Sequence, residues 1–421
     1  MLRFTTKSGQ NFTYNPQDNM ISRCNEKSYL SETCRVTFRG DEKLSLHKIP
    51  KFTIEITQQC NLRCTYCCYS GQYEGRREHA EKDISWDTLN KTIDFILKYY
   101  DRNDTLVISF YGGEALLVKE KMKWVIDTLL TKINTPIQFS LATNGLSLTE
   151  DTIRWLCAMP DININVSLDG SQEIHDSCRK TLNGKGSYDI IMQNLRYFKE
   201  HFPKEYAERV NFLATVSSWS KEQEISDFWS KNDFLSDKQP VVISHIIPNF
   251  EKEKKLNENW DEKIAFFDKA LEHYKKGKKD MMTYELHRIL RRIEDRQFFP
   301  LPEELAIKTC LSDMYEYFIT VDGDIYPCEK FCTGFQIGTV FDDIDEKNAH
   351  TLLHRFVERK NKFCQDCWAV RLCGMCLTNL NFKDDDMPAM CKRERENCLL
   401  ALKYYCEVKE FENFKQKLKQ L

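Results

Sequence analysis

Three cysteines stand close together at Cys60, Cys64 and Cys67, in the spacing C-x3-C-x2-C. Three thiolates can hold three irons of a [4Fe–4S] cube and leave the fourth open to a substrate or cofactor. Such clusters ordinarily take four cysteines, so an open iron is the feature that needs a use. A zinc site lacking one ligand and three buried thiols are the other readings, although zinc spacings favour C-x2-C pairs. Cys68 follows Cys67 directly and is read as non-ligating.

Cysteine is absent from 179 to 309 and then returns at Cys310, Cys328, Cys332, Cys364, Cys367, Cys373, Cys376, Cys391, Cys398 and Cys406. Cys310 is followed by twelve residues, Gly323, four residues and Cys328. Later comes Cys364-x2-Cys367-x5-Cys373-x2-Cys376, then Cys391. Paired C-x2-C units fit a zinc ribbon as well as iron. The chain holds 18 cysteines, and its first residues lack the apolar core of a signal peptide. A cytoplasmic setting is expected. Reduced thiols there make metal or redox chemistry a better account than a disulfide scaffold. Cys24, Cys34, Cys157, Cys178 and Cys406 are read as ordinary thiols.

Elements must position these groups. Apolar and β-branched runs occur at Phe52–Thr57, Thr105–Phe110, Pro136–Ala142, Ile162–Leu168, Val210–Ser217 and Val241–Ile247. Between them lie stretches of helical period, such as Trp86–Tyr100, Lys119–Ile133, Tyr188–Phe202 and Lys221–Asn232. Alternating strands and helices read as parallel βα units in an α/β fold. Six units suit a partial barrel better than a closed eight-stranded one, and an open doubly wound sheet also fits the periodicity. In a βα barrel the reactive edge is the C-terminal end of the strands. There stand the cysteine loop, Tyr111-Gly112-Gly113-Glu114, Thr143-Asn144-Gly145 and Asp169-Gly170. Around this core the expected divisions are a β-hairpin extension (1–50), the barrel (51–250), a helical bridge (251–309) and a cysteine-rich domain ending in a helix (310–421). Ile264–Lys275 and Met281–Arg296 carry helical period, and Met390–Glu407 is taken as the C-terminal helix. A net charge of −3 argues against a dedicated nucleic-acid binder, and no apolar run is long enough for a membrane span.

The combination of CNLRCTYC, with Tyr66 before the last cysteine, and YGGE at 111–114 resembles the radical SAM superfamily over about 50–250. The resemblance implies a partial (β/α)6 barrel that binds S-adenosylmethionine at the open iron. One-electron reduction of the sulfonium then yields methionine and a 5′-deoxyadenosyl radical. The cofactor carries that step, while the protein orients it and excludes water. Residue by residue, the resemblance puts Tyr66, Gly112, Gly113, Glu114, Asn144, Ser167, Asp169 and Arg179 at the cofactor. Gly112, Gly113 and Glu114 would meet the methionine amino group, Ser167 and Asp169 the ribose, and Arg179 the carboxylate. His175 is left with a structural role.

The later cysteines resemble the SPASM extension of that superfamily, which carries two auxiliary [4Fe–4S] clusters, three in all. The resemblance implies Cys310, Cys328 and Cys376 on the first, with Cys332 as its possible fourth ligand. It implies Cys364, Cys367, Cys373 and Cys391 on the second, with Cys398 as the rival to Cys391. The sequence departs in two places. The spacing from Cys373 to Cys376 is x2, where the family usually has x3, and no cysteine closely precedes Cys310.

Members of this type mostly modify ribosomally made peptides. The leading expectation is a peptide maturase that forms thioether or carbon–carbon crosslinks in a precursor peptide bearing a leader, with flavodoxin or ferredoxin as reductant. The same-fold alternative is anaerobic sulfatase maturation, oxidising Cys or Ser to formylglycine. That group usually starts its cluster loop nearer the N-terminus and places an Asp where this chain has Glu329, a possible base. A non-catalytic zinc scaffold is the alternative from another class.

Overall fold

The computed structural model describes residues 1–24, 35–40, 43–216, 219–232, 234–235, 242–245, 260–307 and 309–419. Cys34, parts of the runs expected at 210–217 and 241–247, and the charged stretch 251–259 fall outside them. The chain forms two compact units, each discontinuous in sequence. One comprises 1–42, 257–309 and 352–421, and the other 43–256 and 310–351. These units cut across the linear division drawn from composition. The N-terminal strands join the helical region, and the cysteines at 310–332 join the barrel.

In the first unit β1 (Leu2–Thr5) and β2 (Asn11–Asn15) pair antiparallel, and β3 (Met20–Arg23) follows. The turn between β1 and β2 uses Gly9 at φ 80°, the left-handed region that favours glycine. Short strand β4 (Thr37–Gly40) completes the N-terminal part.

The barrel unit begins with β5 (Lys51–Thr57) and α1 (Trp86–Tyr99). It continues with β6 (Leu106–Gly112), α2 (Lys119–Lys132), β7 (Ile137–Thr143) and α3 (Glu150–Ala158). Next come β8 (Ile162–Ser167), α4 (Gln172–Cys178), α5 (Tyr188–His201), α6 (Pro203–Arg209), β9 (Val210–Val216), α7 (Glu222–Lys231) and β10 (Val242–His245). Strands β5 to β10 are parallel and adjacent in chain order, the arrangement of a partial barrel. Residues Phe52 to Thr57 of β5 are all buried, as expected for a central strand covered on both faces. In β6 to β9 burial alternates. Ile108, Phe139, Ile164 and Phe212 are fully buried on the outer face, where Phe212 packs 5.1 Å from the Trp229 ring of α7. Ser109, Ser140, Asn163, Asn165 and Asn211 occupy the alternate, half-buried positions on the other face. Helices α1 and α3 start on side-chain caps. Ser85 accepts from Thr88 N at 3.0 Å, and Thr149 accepts from Thr152 N at 3.4 Å. A cap of this kind stabilises a helix start by about 1 kcal/mol.

The chain then returns to the first unit with α8 (Trp260–Lys275), α9 (Met281–Glu294) and β11 (Glu304–Ile307). Helix α9 opens on a reciprocal capping box between Asp280 and Thr283, and β11 pairs parallel with β4. Strand β12 (Glu316–Ile319) lies parallel to β5 on the side away from β6. Strands β13 (Asp324–Tyr326), β14 (Gly338–Thr339) and β15 (Asp343–Ile344) extend the same sheet antiparallel, giving ten strands among the described residues. Helix α10 (Glu346–Phe363) leads into the cysteine pairs, and α11 (Met387–Lys419) ends the chain. The core of the first unit gathers Phe4, Phe12 and Tyr14 with Ile293, Leu372, Ala401 and Leu402.

Candidate active site

The cysteine loop leaves β5 at its C-terminal edge. Cys60, Cys64 and Cys67 are all half-buried. Backbone N–H groups point at two of the sulfurs, Leu62 N to Cys60 Sγ and Tyr69 N to Cys67 Sγ, both at 3.4 Å. Asn144 Nδ2 lies 3.7 Å from Cys60 Sγ, and Arg179 Nη1 lies 3.9 Å from Cys64 Sγ. Burial pushes the Cys60 thiol up, and the Cys64 thiol up to about 11. Metal binding would therefore have to displace protons that burial retains. Among the described residues no three His, Cys, Asp or Glu side chains converge on one ion. A cube differs in presenting a separate iron to each thiolate. The donor set therefore fits a thiolate-held cluster, with N–H groups placed to stabilise charge on sulfur.

The next rim segment, Tyr111 to Glu114, packs onto this loop through its backbone. Gly113 N donates to Thr57 O at 2.9 Å, and Glu114 N to Gln59 O at 2.8 Å. A Cβ on Gly112 would stand 2.1 Å from Thr57 O, and one on Gly113 2.0 Å from Gln59 O. The glycines are thus required by the cysteine loop itself.

Glu114 is fully buried. Its carboxylate accepts from Thr143 Oγ1 at 2.8 Å, Asn144 N at 2.7 Å and Leu116 N at 3.2 Å. Burial raises its pKa, and these hydrogen bonds oppose the rise. Glu114 thereby holds the end of β7. Asn144 there also donates to Asn61 Oδ1 at 2.7 Å.

Ser167, the last residue of β8, is half-buried, and Asp169 just beyond it is almost wholly buried. Asp169 Oδ2 accepts from Arg179 Nε at 3.0 Å and from the Tyr66 hydroxyl, and Oδ1 accepts from Thr215 N at 3.0 Å. The Arg179 guanidinium lies 5.4 Å from the Tyr66 ring centroid. The resemblance assigns Asp169 to a ribose and Glu114 to an amine. In this structure both spend their oxygens on the protein, because each is buried where an unpaired carboxylate would be costly. Their visible work is to fix Asn144, Arg179 and Tyr66 beside the cysteines.

His175, left structural by sequence, is fully buried within this network. Its Nδ1 accepts from Asp169 N at 3.3 Å, so Nε2 carries the proton and donates to Ser187 Oγ at 3.0 Å. Ser187 Oγ in turn donates to the Arg179 carbonyl at 2.8 Å. Burial lowers the His175 pKa to about 4, which keeps this arrangement neutral.

The pairing of Glu55 with Arg77 escaped sequence reasoning. The signal was a single charge inside the apolar run Phe52–Thr57. Glu55 is fully buried and pairs with Arg77 at 3.3 Å. It also accepts from Tyr69 OH at 2.6 Å.

The later cysteines divide between the units. In the barrel unit Cys310 and Cys328 lie within electrostatic reach of each other. Burial first and the Glu329 carboxylate second push the Cys328 thiol up to about 12. Glu329 is half-buried, and its carboxylate has no hydrogen-bond partner among the described residues. Cys332 follows Cys328 by four residues. It is buried, and its thiol points at Glu74 O, 3.7 Å away. Cys376 belongs to the other unit, where it is exposed. There Cys364, Cys367, Cys373 and Cys391 line one pocket with Lys360 and Arg395. Cys398 lies instead in the apolar core, with Arg292 Nη1 3.7 Å from its sulfur.

Residues 54–218 match the family model of the radical SAM superfamily. A cysteine-type anaerobic sulfatase-maturating enzyme of Clostridium perfringens is 25% identical over 378 residues, covering 84% of this chain and 92% of its own. The antilisterial bacteriocin subtilosin biosynthesis protein AlbA of Bacillus subtilis is 23% identical over 347 residues, covering 78% and 67%. In fold the chain is similar to a structure of native anSMEcpe with bound AdoMet, at a TM-score of 0.60 and 22% identity, covering 86% and 96%. With its strand order, cysteine loop and family match in agreement, this chain carries a radical SAM domain over residues 54–218.

Proposed function

We propose that this chain is a radical maturase that oxidises a side chain of a peptide or protein substrate by two electrons. The observation that carries the reading is the three-cysteine loop, with Asn144 and Arg179 directed at its sulfurs. Cys60, Cys64 and Cys67 would hold the [4Fe–4S] cluster, and Arg179 and Tyr66 would orient S-adenosylmethionine beside it. When bound, these groups supply a radical that removes one hydrogen atom from the substrate. The chain's own residues exclude water and manage the accompanying proton. Glu329, a carboxylate next to Cys328, would take it. Cys364, Cys367, Cys373 and Cys391 would hold one auxiliary cluster, with Cys310 and Cys328 contributing to the other, and these groups when bound would supply the acceptor for the second electron. A small electron carrier such as flavodoxin or ferredoxin would supply the reducing electron.

Two finer readings share this chemistry. Similarity along most of both chains to a sulfatase-maturating enzyme supports formylglycine formation, as does the carboxylate at Glu329. Similarity to the subtilosin biosynthesis protein supports crosslinking of a precursor peptide, the leading expectation from sequence. Intact mass after anaerobic co-expression with each substrate type separates them. A crosslink removes two hydrogens from a precursor peptide, whereas formylglycine from Cys exchanges hydrogen sulfide for oxygen in a sulfatase peptide. Both changes should disappear in Cys60→Ala. Failure of the reconstituted wild type to cleave S-adenosylmethionine would refute the shared reading.

A further inference from the structure

We propose that Arg77 is a positioning residue that fixes the Cys328–Cys332 segment against the first cysteine loop. It thereby sets where Cys328 and Glu329 stand relative to Cys60, Cys64 and Cys67. The proposal rests on the reading of the three-cysteine loop given above.

The Arg77 side chain is 9% exposed and the Glu55 side chain 0%. A buried charge is strongly unfavourable unless it is paired and its remaining hydrogen bonds are satisfied. Here one end of the guanidinium stands 3.3 Å from Glu55 Oε1. The other end reaches across to the second segment. Nη2 donates to Glu329 O at 2.5 Å and Nη1 to Phe331 O at 3.3 Å. The Phe318 ring, 4.4 Å from the guanidinium carbon, closes one side.

Glu55 spreads the connection. It accepts from Tyr69 OH at 2.6 Å and Gln58 Nε2 at 3.2 Å on the cysteine-loop side. It also accepts from Val321 N at 3.1 Å on the β12 side. Neighbouring residues repeat the pattern. Arg76 donates to Lys330 O, and Thr333 donates to Gly75 O through N at 2.7 Å and Oγ1 at 3.0 Å. The carbonyls of 329, 330 and 331 and the amide of 333 are therefore all held by residues 75–77. Only a planar fork spans Glu55 and two carbonyls at once. A lysine ammonium keeps the charge without that reach.

The test uses the full chain, reconstituted anaerobically, as wild type, Arg77→Lys, and the double variant Arg77→Gln with Glu55→Gln. The double variant removes both charges and leaves neither buried alone. In Arg77→Lys, amide exchange over 328–333 should quicken about tenfold or more, and that over 60–69 should stay within about twofold. Cleavage of S-adenosylmethionine with dithionite and no added peptide should also stay within about twofold. Any EPR signal that Cys328→Ser removes should change, while the one that Cys60→Ala removes should not. The double variant should loosen 328–333 in the same way. Unchanged protection of 328–333 in both variants would overturn the proposal. So would loosening of both segments together with loss of cleavage, because Arg77 would then serve the fold as a whole. If the wild type itself does not cleave S-adenosylmethionine, the reading of the first loop fails, and the exchange comparison still decides the role of Arg77.

Discussion

At the scale of single residues, the network behind the cysteine loop is held by groups that solvent cannot reach. Asp169 satisfies Arg179, Tyr66 and the Thr215 amide at once. Asp169→Asn removes the charge that Arg179 pairs with in a buried place. Breaking such a pair costs about 3–5 kcal/mol, so lower stability together with weaker S-adenosylmethionine binding is expected. Chemical denaturation and titration calorimetry measure the two effects. His175 adds a pH dependence. Its folded pKa of about 4 lies below the ordinary 6.5, so the unfolded chain takes up the proton first as pH falls. The stability contribution is present above pH 6.5 and is lost on acidification toward pH 4, by about 2 kcal/mol between pH 7 and pH 5. A His175→Gln variant should lose less stability over that interval than the wild type, and an equal loss would count against the assignment. The cysteines and the rim residues were legible because spacing along the chain carries their meaning. The pairing of Glu55 with Arg77 was not, since opposite charges on two separate segments announce no contact in sequence.

At the scale of elements, the strand-and-helix alternation was legible because each βα unit is local. The expected helix at Met390–Glu407 is found within Met387–Lys419. The junction of β5 with the Tyr111–Glu114 segment depends on two missing side chains. Gly113→Ala would force a Cβ to 2.0 Å from the Gln59 carbonyl. The loop must then move away from β6, and reconstituted Gly113→Ala should lose about four irons per chain along with S-adenosylmethionine cleavage. Iron and sulfide analysis checks it, and a full complement would show that the loop tolerates the shift. Strand β12 could not be read from sequence. Four residues carry little periodicity, and its partner β5 lies more than half the chain away.

At the scale of the molecule, the two compact units are each discontinuous in sequence, and the first takes both ends of the chain. The cysteines after residue 309 divide between these units. Cys310, Cys328 and Cys332 fold with the barrel, and those from Cys364 onward fold with the N-terminal strands. Of the two rivals in the second group, only Cys391 faces the cavity that Cys364, Cys367 and Cys373 line. Cys391→Ser should therefore cost about four irons per chain, and Cys398→Ser should leave the count unchanged. The reverse result would exchange their roles.

The pairing of Lys51 with Glu316 also governs how the chain can be made. Strand β5 emerges early from the ribosome with one flank unpaired, and its proper neighbour follows only after more than half the sequence has been translated. For that interval a buried-type strand offers open N–H and C=O groups to any passing chain, the circumstance in which nascent proteins aggregate. A fragment ending at residue 309 should accordingly be recovered in inclusion bodies or bound to chaperones, while one carried through residue 351 closes that flank. The barrel is thus a structure completed from its far end.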